Sequence, residues 1–154
     1  MKVLIFRTGK GKCRWADQGT QDWLKRIQKR LPVQEVLLKP SPDHLSIEKR
    51  RSLESQAILS RLKPGDAVIC LDERGELWKT ERFSSVVQEA MNRSTKRLIF
   101  AVGGPFGHSP QLRAAAWKTV ALSKMVLNHE LARLILAEQL YRVYTLIWGG
   151  DYHH

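Results

Sequence analysis

Arg97-Leu98-Ile99-Phe100-Ala101-Val102-Gly103-Gly104-Pro105-Phe106-Gly107 is an apolar run that passes without a break into a glycine-rich turn. A strand with one face in water alternates apolar and polar residues. A continuous run is buried on both faces, as strands of a parallel sheet are. Asp66-Ala67-Val68-Ile69-Cys70-Leu71-Asp72 has the same character and closes on a carboxylate. Two such runs, each followed by a helical pattern, predict an α/β domain built on a mainly parallel sheet.

Working outward from these runs, the pattern alternates throughout. Val3 to Phe6 reads as a first strand, followed by the basic loop Thr8-Gly9-Lys10-Gly11-Lys12. Trp23, Leu24, Ile27 and Leu31 fall at helical spacing within residues 16–31, and Pro32 stops that helix before a strand at Val33 to Leu38. A strongly basic helix is predicted over about 45–62, ended by Pro64-Gly65. Arg74-Gly75 is expected to turn the chain, and Thr80 to cap a helix reaching Met91. Ser109-Pro110 is an N-cap followed by proline at the first helical position. A short strand at Thr119 to Leu122 leads through Ser123 to Leu127 into a last helix from His129 to about Thr145. On that helix Leu131, Leu134, Ile135, Leu140 and Val143 are expected to be the buried face. No repeats, low-complexity tracts or linkers interrupt the chain, so residues 1–154 read as one domain.

The formal net charge is +11, and it is unevenly spread. Residues 1–63 carry 15 Lys/Arg against 6 Asp/Glu, and residues 64–154 carry 11 against 9. The basic half 1–63 suits a polyanion; a solvated surface kept for solubility is the alternative that composition leaves open. No stretch has the roughly 18 uncharged apolar residues of a membrane span. The opening apolar run is too short for a secretory signal, and the protein is expected to be cytoplasmic. Cys13 and Cys70 suit reduced thiols, since their spacing fits neither a disulfide framework nor a metal site.

In open parallel sheets, ligands bind beyond the carboxyl ends of the strands. Three loops meet that description: Leu71 to Gly75, Gly103 to Gly107, and Leu122 to Leu127. The glycine loop is neither a dinucleotide fingerprint nor a P-loop, so a plain turn and a ligand loop both stay open. Nucleophilic catalysis has no support, because neither cysteine has a histidine partner in sequence and no nucleophile elbow is present. His129 with His153 and His154 lacks companions at ligand spacing, and no metal is expected. Glu138 and Arg142, four apart on the last helix, fit either an ion pair or part of a site.

The run Asn128-His129-Glu130-Leu131-Ala132-Arg133-Leu134-Ile135-Leu136-Ala137-Glu138-Gln139-Leu140-Tyr141-Arg142, ending in Asp151-Tyr152-His153-His154, resembles the large-subunit rRNA pseudouridine methyltransferases of the SPOUT class (RlmH type). Gly103 to Gly107 before a Ser-Pro-capped helix, Leu71-Asp72 with Arg74-Gly75, and the basic loop at residues 8–12 fit the same family. The similarity covers nearly the whole chain.

The resemblance implies a homodimer with a C-terminal trefoil knot, the cofactor region spanning about 98–154. It implies that S-adenosylmethionine is held by Leu71, Gly103 and the run Leu122, Ser123, Lys124, Met125, Val126 and Leu127. The implied reaction is methylation of ring nitrogen 3 of a pseudouridine in 23S rRNA of the assembled ribosome. Arg142 and His153 are then candidates for proton handling or anion stabilisation, with Glu138 and Tyr152 beside them and the tail closing over the cofactor. Arg7, Lys10, Lys12, His129 and Arg133 are candidates to contact RNA. Asp151 departs from the family pattern, in which a proline usually precedes the tyrosine. Two other readings fit the residues: a SPOUT-type enzyme acting on another RNA such as tRNA, and a non-catalytic basic ribosome-binding factor.

Overall fold

Five strands, β1 (Lys2–Thr8), β2 (Val33–Leu38), β3 (Asp66–Leu77), β4 (Arg97–Val102) and β5 (Lys118–Ala121), form one sheet in the order β2-β1-β4-β3-β5. Every neighbouring pair is parallel. The computed structural model describes residues 1–152, so the candidates His153 and His154 lie outside the described residues. Five helices connect the strands: α1 (Arg14–Ile27), α2 (Ile47–Leu59), α3 (Thr80–Asn92), α4 (Pro110–Ala115) and α5 (His129–Trp148).

The continuous apolar runs are explained by two cores, one on each face of the sheet. Val3, Ile5, Leu98, Phe100 and Val102 point to the side covered by α1, α3 and α5, against Leu24, Val87, Leu136 and Leu140. Leu4, Phe6, Cys70, Ile99 and Ala101 point to the other, against Ile58 of α2 and Leu112 of α4. The side-chain alternation of a strand is intact; both faces happen to be dry.

Local chemistry sets the ends of the elements. Ser46 accepts from Lys49 N at the start of α2, and Ser109 accepts from Leu112 N at the start of α4, the cap expected from Ser-Pro. Three expectations need correcting. Thr80 does not cap α3: Lys79 stands at the cap, and the Thr80 hydroxyl donates to Gln139 Oε1 across to α5. Tertiary contact won over local capping there. Arg74-Gly75 does not end the strand. Leu71 and Glu76 both register with Val120, so residues 72–75 form a bulge within β3, started by Arg74 N donating to Asp72 Oδ1. The buried face of α5 is Glu130, Arg133, Leu136, Ala137, Leu140, Val143 and Thr145, of which Leu140 and Val143 were expected. Leu131, Leu134 and Ile135 are only half-buried, because the helix lies on α1 and α3 with a different side inward.

Candidate functional site

The carboxyl ends of β3, β4 and β5 stand side by side, and the three loops leaving them enclose a cleft of about 600 Å3. That size suits a small organic molecule. Leu71, Gly103, Leu122, Ser123, Met125, Val126 and Leu127 all line it. Lys124 does not, although its neighbours on both sides do. The loop carrying them is the most solvent-exposed apolar part of the chain, Met125 being 74% and Val126 80% exposed. Such exposure is costly unless a ligand or partner covers it.

The glycine loop is held from three directions. Below it, His108 is buried, with Nε2 3.0 Å from Ala101 O and 3.4 Å from where a Gly103 Cβ would stand. From α2, Arg51 Nε donates to Phe106 O at 2.9 Å, and the Arg50 guanidinium lies 4.7 Å over the Phe106 ring. Also from α2, Glu54 Oε2 comes within 2.6 Å of the Cβ position of Gly104, so the glycine there makes room for a carboxylate. Glu54 is itself fixed by the Ser41 hydroxyl at 2.6 Å. Part of the basic α2 therefore serves the loop. Charge counting could not show that, because it sees sign and not direction.

Two buried groups behind the cleft were given no role by the sequence, although Asp72 lies in one of the three loops it pointed to. Asp72 lines the cleft with its side chain almost wholly buried, Oδ1 3.4 Å from Arg74 Nε and Oδ2 3.6 Å from Arg113 Nη1. Arg113 also donates to His108 O at 2.7 Å, which ties α4 to the loop. Burial, with Asp72 nearby, pushes the Cys70 thiol up to about 12, which keeps it protonated near neutral pH. A polar residue just beyond the glycine loop was the available signal for His108, but its direction was not.

Burial lowers the pKa of His108 below its ordinary value of 6.5, despite the acceptor at Ala101 and the charge of Asp72. The fold thus prefers the neutral ring. Its contribution to stability is present above the unfolded value of 6.5 and is lost as pH falls through the lower folded value. We expect thermal stability to decline on acidification below about pH 6.5, with a flatter profile in His108→Gln. Melting scans across that range check this, and identical slopes would remove His108 as the cause. Asp66, whose carboxyl is lowered against the burial penalty by hydrogen bonds from Arg97 and Lys63 N, acts only at more acid pH, below its ordinary 3.8.

The remaining candidates fall into two groups. His129 lines the cleft. Lys10 and Lys12 are exposed on the basic loop, which is pinned to the start of α5 by Lys12 N donating to Glu130 Oε1 at 2.7 Å. Arg7 and Arg133 are different. Arg133 is 2% exposed and pairs with Asp17 and Glu35; Arg7 is half-buried and pairs with the same two carboxylates. Both guanidinium groups are thus paired within the chain, while the two residues also line a small hollow beside Gly103 and His129.

Glu138, Arg142 and Tyr152 come together, but not at the cleft. Arg142 Nε donates to Glu138 Oε1 at 2.6 Å, and its guanidinium lies 4.8 Å over the Tyr152 ring. Tyr152 packs on Trp23 and Tyr141, so the described part of the tail folds back on α1 and α5. None of the three lines the cleft. The expectation that the tail closes over the cofactor does not hold within one chain as far as residue 152. Gly149, at φ +80, makes the reversal after α5. Among the described residues no group of three metal-ligating side chains is found, and no helix is long and apolar enough to cross a membrane.

The family model described as "Predicted SPOUT methyltransferase" matches residues 1–153. A protein of Trichlorobacter lovleyi named ribosomal RNA large subunit methyltransferase H is 34% identical over the full length of both chains. Proteins of the same name from Cytophaga hutchinsonii and Porphyromonas gingivalis are 36% and 33% identical, covering all of this chain and 100% and 99% of theirs.

Proposed function

The chain belongs to the SPOUT methyltransferase family, and from that premise we propose that it methylates ring nitrogen 3 of a pseudouridine in 23S rRNA of the assembled ribosome. The observation that carries the proposal is the cleft at the ends of β3, β4 and β5. Its walls are the loops that the family resemblance assigns to S-adenosylmethionine.

The residues present fit that cofactor. Leu71, Leu122 and Leu127 are apolar walls for a purine, and Gly103 and Gly104 let a ligand meet the backbone. Asp72 lies in the cleft wall with its carboxylate almost fully buried between Arg74 and Arg113, which holds that wall in place. S-adenosylmethionine, when bound, supplies a methyl carbon on a cationic sulfur.

The chain's own residues then have two tasks. One is positioning: the clamped glycine loop and the rigid ends of three strands fix one reactant, and the basic surface fixes the other. The second is the proton on the imide nitrogen, a poor nucleophile until that proton is shared or lost. Arg142 is assigned to stabilise the developing imide anion, and His153 to handle the proton, with Glu138 and Tyr152 orienting Arg142. For Glu138, the 2.6 Å contact with Arg142 supports that role. Because this cluster stands away from its own chain's cleft, we infer a homodimer in which the tail of one subunit serves the cleft of the other. The half-buried Leu131, Leu134 and Ile135 of α5 would be covered by such a partner. A trefoil knot at the cleft and a cytoplasmic location are part of the same proposal.

The test is to supply methyl-labelled S-adenosylmethionine with either 70S ribosomes or bulk tRNA. Label in 23S rRNA, mapped to a single pseudouridine, is the expected outcome. Label confined to tRNA defeats the assignment of substrate, and no saturable cofactor binding defeats the enzyme reading as a whole.

A further inference from the structure

Trp15, in the first turn of α1, is 61% exposed. The other tryptophans all have partners: Trp23 packs on Tyr141, Trp78 on Phe83, Trp148 on Tyr144, and Trp117 lies under Arg93 and Lys118. Among the described residues Trp15 has no ring or cation partner. Lys10, Lys12 and Arg14, close to it in the chain, are exposed, and among the described residues no carboxylate pairs with their side chains. The nearby carboxylates are engaged elsewhere: Asp17 pairs with Arg7 and Arg133, and Glu130 accepts from Lys12 N.

This surface is fixed in place. Gly9 N donates to Leu38 O, Arg7 Nη1 donates to Gly9 O, and Lys12 N is held by Glu130. It also adjoins the site, because Gly11 of the basic loop shares a small hollow with Gly103 and His129. An exposed aromatic ring in the same short stretch of chain as three exposed cations suits one class of partner, an unpaired stretch of nucleic acid. Its bases stack on aromatic rings, and its phosphates meet lysine and arginine. A second copy of this chain suits it less, since a symmetric contact centred on Trp15 would bring two sets of cations together.

We propose that Trp15 is a stacking platform for one unpaired nucleobase of the substrate RNA, with Lys10, Lys12 and Arg14 holding the flanking phosphates. The proposal rests on the rRNA methyltransferase reading and deepens it. Ring nitrogen 3 of a uracil-type base lies on its pairing edge, so a nucleotide methylated there must be unpaired when it reacts. Its neighbours are then free to stack on protein.

The experiment compares wild type with Trp15→Ala, Trp15→Phe and Trp15→Leu. It measures affinity for a fluorescein-labelled single-stranded oligouridine, methyl transfer to ribosomes, cofactor affinity and sedimentation. Trp15→Ala is expected to weaken oligouridine binding by about 5- to 100-fold, the range of one lost base stack. KM for ribosomes rises with it, while kcat and cofactor affinity stay unchanged. Phe restores most of the loss and Leu does not, because stacking needs a π-face and packing needs only apolar volume. Trp15→Ala leaves the salt dependence of binding as in wild type, whereas Lys12→Gln makes it shallower. Equal oligouridine affinity in Trp15→Ala and wild type overturns the proposal, as does absence of oligouridine binding by wild type. Full rescue by Leu, or dissociation of subunits in Trp15→Ala, overturns it too and assigns Trp15 to a protein contact. Loss of oligouridine binding in Trp15→Ala, with no methylation of ribosomes by wild type, would sink the substrate reading and leave the platform standing.

Discussion

Gly75→Ala lowers the melting temperature by roughly 6–12 °C and weakens S-adenosylmethionine binding in the same protein. A Cβ at position 75 would stand 2.6 Å from both the backbone N and C of Val120, and 2.7 Å from the backbone C of Thr119. No carbon atom sits that close to a backbone, and no side chain is available to give way. The strain falls on the pairing of β3 with β5, which runs from Ile69↔Lys118 to Leu77↔Ala121 across the bulge. Forcing extra volume into a packed site costs about 1–3 kcal/mol and sometimes more. Contact with backbone belongs at the upper end of that range, and each kcal/mol moves a chain of this size by about 2–4 °C. Because β5 runs directly into residues 122–127, moving it shifts one wall of the cleft. Calorimetry and cofactor titration on one preparation check both halves. A variant that melts within a degree of wild type would show that the bulge relaxes freely and that β5 does not anchor the cleft.

Arg142→Ala slows methyl transfer by about 10²–10³-fold, the usual cost of removing a group that stabilises developing negative charge. Its effect on stability is small, because a partly exposed pair four residues apart on a helix, here Arg142 with Glu138, is worth about 0–1 kcal/mol. Single-turnover transfer to ribosomes, read with the melting temperature and cofactor affinity, separates the two effects. Near wild-type transfer removes Arg142 from the mechanism. A mixing experiment tests the shared site. Gly103→Val is expected to lose cofactor binding, since the added carbon would stand 3.3 Å from Gly107 Cα and 3.4 Å from His108 Nε2 and so displace the glycine loop that lines the cleft. Alone, Arg142→Ala is slow and Gly103→Val binds no cofactor, so neither approaches wild-type activity. If the tail of one subunit serves the other's cleft, mixed dimers regain activity, because one intact cleft then meets one intact Arg142. No recovery on mixing would return Arg142 to its own chain.

Much of the architecture was legible because it rests on short-range rules. The runs at 66–72 and 97–102 are continuous because both faces of their strands are buried, and continuity can be read from residues alone. Ser109-Pro110 starts α4 because a hydroxyl cap and a proline at the first helical position both act within one turn. The position of the cleft followed from the parallel sheet, since strands that run the same way deliver their loops to one end. The misread elements have a common cause. Thr80 gave up capping for Gln139, and the chain at Arg74-Gly75 bulged because β5 lay beside it. Each was decided by a residue 40 or more positions away, beyond the reach of local preference.

The sequence by itself determined the sign and the place of the charge, the parallel sheet, and the three loops that could hold a ligand. These depend on composition, periodicity and turn chemistry, which are properties of neighbours in the chain. Only the tertiary structure decided what each charged side chain does. Arg133, in the family signature, is spent on Asp17 and Glu35 inside the chain, and Arg50 and Arg51 of the basic helix grip the glycine loop. Arg142 faces Tyr152 and Glu138 away from its own cleft, while Trp15 stands in solvent at the end of the basic loop. The reason is directional. A residue's type and spacing set its charge and its helical face, but what that face meets is fixed only when distant segments pack together.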